Sequence, residues 1–409
     1  MSQSKRTVVI LATLDTKAEE AAFLKQQVQA LGGNAVILDM GVVGHAGIAA
    51  DVPREAVATA GGGDLAALLA APTREAAGPV MVAGATKLLL TMIAAGRAHA
   101  VVGVGGTQGT TSCTQVMQAL PYGFPKLMVS TVASGDTSRF VGIKDITMMF
   151  SVSDLLGVNA FTARILANAA AAAYGMSLVD GRVETPRSAK PLIAMTNLGV
   201  LTDGATLAMK LFREAGYDVV VFHAVGSGGR AMEQLMKEGV IGAVFDYALG
   251  EIADEVFGGL RAGGPERLTV AGSLGLPQVI CPGGAEHLGL FVEANVVPEA
   301  YRTHQHVFHS PVIFVPRLNR EEIVRVAEDI CKRLQHTHGK AVFMLPLRGV
   351  GRYSVAGGPL YDRESDAAFF AALTAGMPAA IEVVEVDADA EADVFVREAV
   401  RRMVAMLER

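Results

Sequence analysis

Three glycine-rich turns, each between an apolar run and a helical pattern, hold most of the residues that could do chemistry in this chain. The first, GVGGTQGTT at 103–111, carries Gly105, Gly106, Thr107, Gly109 and Thr110. The second, STVASGDTSRFVG at 130–142, carries Thr131, Ser134, Gly135, Asp136 and Arg139. The third, HAVGSGGRAMEQLM at 223–236, carries His223, Gly226, Gly228, Gly229 and Arg230. Glycine lets the backbone approach an anion closely, and a helix amino terminus offers unpaired N–H groups with a partial positive charge. These residues are therefore predicted to bind a small anionic ligand, with Arg139 and Arg230 able to grip a phosphate or carboxylate. Asp136 could hold a sugar hydroxyl or a hydrated metal ion, and His223 could take part in proton transfer. Tight strand-to-helix connections with threonine caps would explain the same composition with no ligand at all. The first turn is not GxGxxG, because Gln108 takes the place of the last glycine, and no GxxxxGK[ST] occurs anywhere, which speaks against P-loop hydrolysis.

Such turns need parallel strands behind them, since ligands of parallel sheets bind beyond the strands' carboxyl ends. Apolar runs at 7–12, 34–40, 100–104 and 126–130 read as strands. Helical patterns fall at 16–31, 53–71, 84–96 and 154–174. After the polar segment SLVDGRVETPRSAK (177–190) the same grammar restarts, with strands at 192–196 and 217–223 around a helix at 203–215. Later strands are expected at 240–245, 277–281, 311–315, 341–345 and 380–386, and helices at 319–335, 364–375 and 391–407. Alternating strands and helices predict an α/β fold of two doubly wound, Rossmann-like domains, 1–180 and 190–409, with an interdomain cleft.

Length and composition agree with two domains. At 409 residues the chain exceeds what one growing core usually serves, and 51% of the residues are apolar. No run offers the roughly 20 consecutive apolar residues of a membrane span, and the amino terminus lacks a signal-peptide pattern. Three scattered cysteines, none in a CxxC pair, suit reduced cytoplasm. A net charge of −6 with mixed signs, and no Trp, offers no footprint for nucleic acid.

The turns and their flanks resemble a known family. PKLMVSTVASGDTSRFVGIKDITMMFSVSDLLGVN, VFHAVGSGGRAMEQLMKEG and EIADEVFGGL look like the Tm-one-like ATP-binding family, as do TLDTK at 13–17 and GGTQGT at 105–110. The resemblance implies two Rossmann-like domains, ATP bound with Mg²⁺, and self-association into a dimer or higher homo-oligomer. Where that family carries a run of threonines, this chain has Tyr247-Ala248-Leu249-Gly250, although Glu251 and Asp254 remain. An Asp of the family pattern is replaced by His287.

That replacement assembles a histidine group: His287, His304, His306 and His309, beside Glu286. An extended His-x-His aims both rings to one face, so a transition metal such as Zn is a candidate cofactor. A rival expectation follows, a metal-dependent hydrolase or lyase acting on a small carboxylate. Glu251 or Glu286 would then be the general base and Arg139 or Arg230 the clamp. A third expectation is a nucleotide-gated interaction module. The loop PLRGVGRYSVAGGPLYD (346–362) adds Arg348, Arg352 and Tyr353 as groups that could close over a ligand.

Overall fold

The computed structural model describes residues 5–70, 74–179 and 190–408. The chain divides into two compact units, Met1–Thr185 and Pro186–Arg409. Residues 180–189, most of the segment where the sequence places the domain boundary, lie outside the described residues.

In the first unit, strands β1 (Thr7–Ala12), β2 (Asn34–Asp39), β3 (Ala100–Gly105), β4 (Lys126–Ser130) and β5 (Thr147–Phe150) form a sheet in the order β2-β1-β3-β4-β5. Every pairing is parallel. β1, β3 and β4 are buried at every position, as a sheet covered on both faces requires. The helices are α1 (Ala18–Ala30), α2 (Arg54–Ala60), α3 (Leu65–Ala70), α4 (Arg74–Ala94), α5 (Thr107–Gln118), α6 (Ser138–Val141) and α7 (Ala160–Leu178). Alternate residues of β1 divide the core. Val8 and Ile10 pack with Leu24 of α1 and Leu166 of α7, whereas Val9 and Leu11 pack with Val57 of α2, Met81 of α4 and Val116 of α5.

Two helical expectations change. The run 53–71 is broken at Gly61–Gly63 into α2 and α3, and α4 starts at Arg74, ten residues before the expected 84. Residues Ala77–Ala94 of α4 are long and apolar enough to cross a membrane by length and composition, a stretch absent from the sequence reading. Here this helix lies on α2, so close that a Cβ at Gly84 would overlap the Val57 carbonyl, while Met81, Ala85 and Leu89 enter the core.

In the second unit, β6 (Ile193–Asn197), β7 (Val219–His223), β8 (Ala243–Ala248) and β9 (Gln278–Gly283) begin a second parallel sheet. A small antiparallel sheet follows, made of β10 (Leu290–Phe291), β11 (His306–Ser310) and β12 (Ile313–Pro316). β13 (Ala341–Pro346) and β14 (Glu382–Val386) then complete the main sheet, in the order β14-β13-β9-β8-β6-β7. Its helices are α8 (Thr202–Glu214), α9 (Ser227–Lys237), α10 (Gly250–Phe257), α11 (Val270–Ser273), α12 (Arg320–Leu334), α13 (Arg363–Gly376) and α14 (Asp393–Leu407). The expected α/β class with two parallel sheets is what the structure shows. In each unit the strand order reverses once, between β1 and β3 and between β6 and β8. Such a reversal opens a crevice at the carboxyl ends of the strands.

Candidate anion-binding site

The crevice of the first unit is open. A pocket of about 520 Å³ lies there, a size suited to a small metabolite. One wall comes from the loop after β1 (Thr13, Asp15, Thr16 and Lys17) and another from Gly105 through Gly109 with Ser112. The remaining wall is apolar: Met40, Val42 and Val43 after β2, with Ala77 and Met81 of α4.

α5 starts at this pocket, with Gly106 as its N-cap and, among the described residues, no side-chain cap on its first amides. Its first N–H groups are thereby left to solvent or to a ligand. The glycines there divide the work. A Cβ on Gly105 would stand 2.8 Å from the Gly109 Cα, so Gly105 is needed for packing. At Gly106 the nearest atom to such a Cβ is Thr131 Oγ1 at 3.7 Å, so that position faces open space. The turns after β3 and β4 are tied together by Thr131 N–H donating to the Gly105 carbonyl at 3.4 Å and by the Thr110 and Ser130 hydroxyls at 2.7 Å. Gly105, Gly106, Thr107, Gly109, Thr110 and Thr131 are therefore neighbours. Ser134, Gly135, Asp136 and Arg139 are exposed and do not line this pocket. Asp136 instead accepts the Ser138 N–H at 2.9 Å.

Lys17 is the residue that sequence reasoning passed over. Only 9% of it is exposed, yet its ammonium donates only to the Thr16 carbonyl, at 3.1 Å, and forms no ion pair among the described residues. A buried cation without a counter-charge is costly. Asp15 also lines the pocket, and its Oδ1 is buried without a hydrogen-bond partner. Asp39 stands behind them at 2% exposure, accepting the Leu14 and Gly41 N–H groups at 3.0 and 2.8 Å. Burial pushes its carboxyl up, with a smaller push from the Asp15 charge. The signal for this wall was TLDTK directly after the first strand, where a buried Lys has no packing reason to be.

The crevice of the second unit is filled by the chain itself, which overturns part of the sequence reading. The Gly226 and Gly229 N–H groups, expected to face a ligand, both donate to Glu251 Oε1, at 2.6 and 3.0 Å. Glu251 Oε2 accepts Arg267 Nε at 2.6 Å, and Arg267 also holds Asp246. Glu251 and Arg267 are wholly buried and Glu251 is held by three hydrogen bonds, so it has no solvent access for the general-base role. Gly228 is a packing glycine, because a Cβ there would overlap the His223 carbonyl. The third carboxylate of the cluster, Glu233, is pushed by burial up to about 7, with Arg267 pulling the other way. His223 and Arg230 are exposed, with His223 Nδ1 3.3 Å from the Asn197 carbonyl and Arg230 Nε donating to the Gly226 carbonyl.

The histidines do not converge. Among the described residues no three His, Cys, Asp or Glu side chains form a metal-holding group. His287 Nε2 faces Arg261 Nη1 at 3.2 Å, and its Nδ1 lies 3.1 Å from Glu286 Oε1 without hydrogen-bond geometry. Glu286 is fully buried; burial raises its carboxyl, but His287 and Arg317 outweigh that and hold it down at about 2. His304 pairs with Glu322 at 3.0 Å, His306 Nδ1 meets the His304 carbonyl at 3.0 Å, and His309 is exposed. Each of the first three rings is taken by its own neighbours, which removes the zinc site and the hydrolase reading built on it. Arg348 is paired with Asp387, and Arg352 with Asp203 and Glu391, so neither is a free clamp.

Two family models cover this chain, the N-terminal domain of the uncharacterised protein family UPF0261 at residues 6–181 and its C-terminal domain at 190–407. The chain belongs to the UPF0261 family. A UPF0261 protein of Clostridium tetani is 35% identical over 405 residues, 99% of this chain and 100% of that protein. A family member of Mesorhizobium japonicum is 35% identical over 368 residues, 90% of each chain. The ToMV resistance protein Tm-1(GCR237) of Solanum lycopersicum is 32% identical over 270 residues, 65% of this chain but 35% of the plant protein. The family description assigns neither ligand nor reaction, so the pocket chemistry of this UPF0261 member has to be argued from its own residues.

Proposed function

We propose that the first unit binds a small phosphorylated or otherwise anionic metabolite in the crevice between β1 and β3. The observation that carries this reading is Lys17, a nine-tenths-buried residue whose ammonium has no ion-pair partner among the described residues, in the same pocket as the uncapped start of α5. An anion there would complete the hydrogen bonds of the helix amides and offset the buried positive charge. Thr13, Thr16 and Thr107 also line this pocket.

ATP with Mg²⁺, the ligand implied by the family resemblance, is the first candidate. The donor set fits a hard cation, because Asp15 presents a carboxylate with an unpartnered oxygen, and Mg²⁺ is commonly held by one or two carboxylates plus substrate phosphates. Asp15 would hold the ion, while Lys17 and the α5 amides hold phosphate oxygens. Titration calorimetry of the full chain with inorganic phosphate, and with ATP in the presence and absence of Mg²⁺, tests the reading. Heat of binding with phosphate supports it; no heat from either ligand at millimolar concentration would sink it.

A further inference from the structure

Two side chains of opposite charge line the first-unit pocket without pairing. Asp15 and Lys17 belong to one loop, yet Asp15 Oδ1 is buried with no hydrogen-bond partner and Lys17 Nζ donates to the Thr16 carbonyl. A second carboxylate stands close behind. A Cβ built on Gly41 would lie 3.0 Å from Asp39 Oδ1 and 3.2 Å from Asp15 Oδ1, so both carboxylates crowd the same glycine. Asp39 does not line the pocket; its Oδ1 accepts the Leu14 and Gly41 N–H groups, which fixes it beside the loop that carries Asp15. Burial raises the Asp39 carboxyl and the Asp15 charge adds to that rise, while the two amides and Arg54 pull it down. Arg54 is itself shared, donating to the Gly44 carbonyl at 2.9 Å and lying 3.6 Å from Glu55. Two carboxylates this close attract a cation and repel a bare anion.

Resting on the anion reading above, we infer that this pocket takes its phosphate together with a divalent cation, and that the buried Asp39 charge sets how strongly the two are coupled. Asp15 serves the cation and Lys17 the anion, which accounts for opposite charges kept apart on one loop. Asp39 touches neither. It is a positioning residue, acting through its field at Asp15 and through the amides it holds. Removing its charge alone should cut the gain in phosphate affinity that Mg²⁺ brings by roughly tenfold. Phosphate without metal should bind no worse, since a repelling charge is gone.

The test titrates inorganic phosphate into the full-length protein and into Asp39→Asn, each with and without Mg²⁺. Asparagine keeps an oxygen for the Leu14 and Gly41 amides and removes only the charge. The expected result is a Mg²⁺ gain in the parent that shrinks by that factor in Asp39→Asn, with metal-free affinity equal or higher. Asp39→Ala, which also removes the acceptor, should lose metal-free affinity as well, a loss that Asp39→Asn does not share. Electron paramagnetic resonance of Mn²⁺ with the unsubstituted protein gives a reading that no folding defect can spoil, because phosphate should increase the bound Mn²⁺. An equal Mg²⁺ gain in the parent and Asp39→Asn would overturn the role of Asp39. No Mg²⁺ gain in the parent, with phosphate still bound and Mn²⁺ indifferent to it, would overturn the coupling and leave the anion reading standing. If neither phosphate nor ATP binds with or without Mg²⁺, both readings fall.

Discussion

Replacing Lys17 by Met should move two measurable quantities in opposite directions. The methionine side chain nearly matches the lysine stem in length and removes the charge. In the ligand-free protein this residue is nine-tenths buried, and its ammonium has one neutral acceptor, the Thr16 carbonyl at 3.1 Å. Taking away a largely buried lysine charge that has no ion pair among the described residues relieves a desolvation cost, a stabilisation of about 1 kcal/mol. For a unit of this size that corresponds to a rise in Tm of roughly 2–4 °C. Ligand binding should suffer, because a hydrogen bond to a charged group contributes about 1.5–3 kcal/mol, or roughly 10- to 150-fold in affinity. Thermal melts without ligand and calorimetric titration with inorganic phosphate read the two effects separately. A variant that melts lower than the parent would show that the lysine serves the fold. Unchanged phosphate affinity would show that the anion goes elsewhere. Opposed signs are the mark of a residue kept for binding at the expense of stability.

Gly106→Ala should fold normally, since its Cβ would have 3.7 Å of clearance, yet weaken phosphate binding by intruding on the cradle; unaltered affinity would place the ligand away from the start of α5. Glu251→Ala removes the acceptor of two buried amides and one partner of buried Arg267, so urea unfolding of the second unit should show a loss of about 3–5 kcal/mol, while a loss under 1 kcal/mol would refute the internal-anion description. Glu233, raised by burial from 4.5 to about 7, keeps its proton in the folded state over a range where the unfolded chain has released it. Stability of the second unit should therefore be fully present below about pH 4.5 and decline as pH rises towards 7, by roughly 3 kcal/mol on the scale of 1.36 kcal/mol per pH unit, superimposed on the other titrations. Glu233→Gln should abolish that component, and an unchanged pH profile in the variant would count against it.

Periodic and locally punctuated features of the fold were legible in the sequence. β1, β2, β3 and β4 are apolar runs of five or six residues ending at glycine or polar turns, and each lies within a residue or so of its expected span. Asn319 and Glu322 mark the start of α12 by a reciprocal cap that can be read from residue types alone. The antiparallel insertion was not legible beyond part of β12, because β10 has two residues and the register of β11 slips between Phe308 and Ser310. α4 was read too short, since Pro79 and two glycines in its first half carry local signals for a break. In the site, the turn after β3 announced itself by composition. The roles of Lys17 and Glu251 did not, for they depend on burial and on partners far along the chain. Gly226 and Glu251, the charge and the amide that find each other, are 25 residues apart.

The carboxylate that Glu251 places on the first turn of α9 is a permanently tethered occupant. A tether raises effective concentration without any bimolecular step, so a dissolved phosphate at ordinary concentrations competes against a group that never diffuses away. Two parallel sheets of related topology in one polypeptide would otherwise suggest two equivalent receptors. Here titration of the intact chain should saturate at one anion per polypeptide, with the carboxyl-terminal half silent.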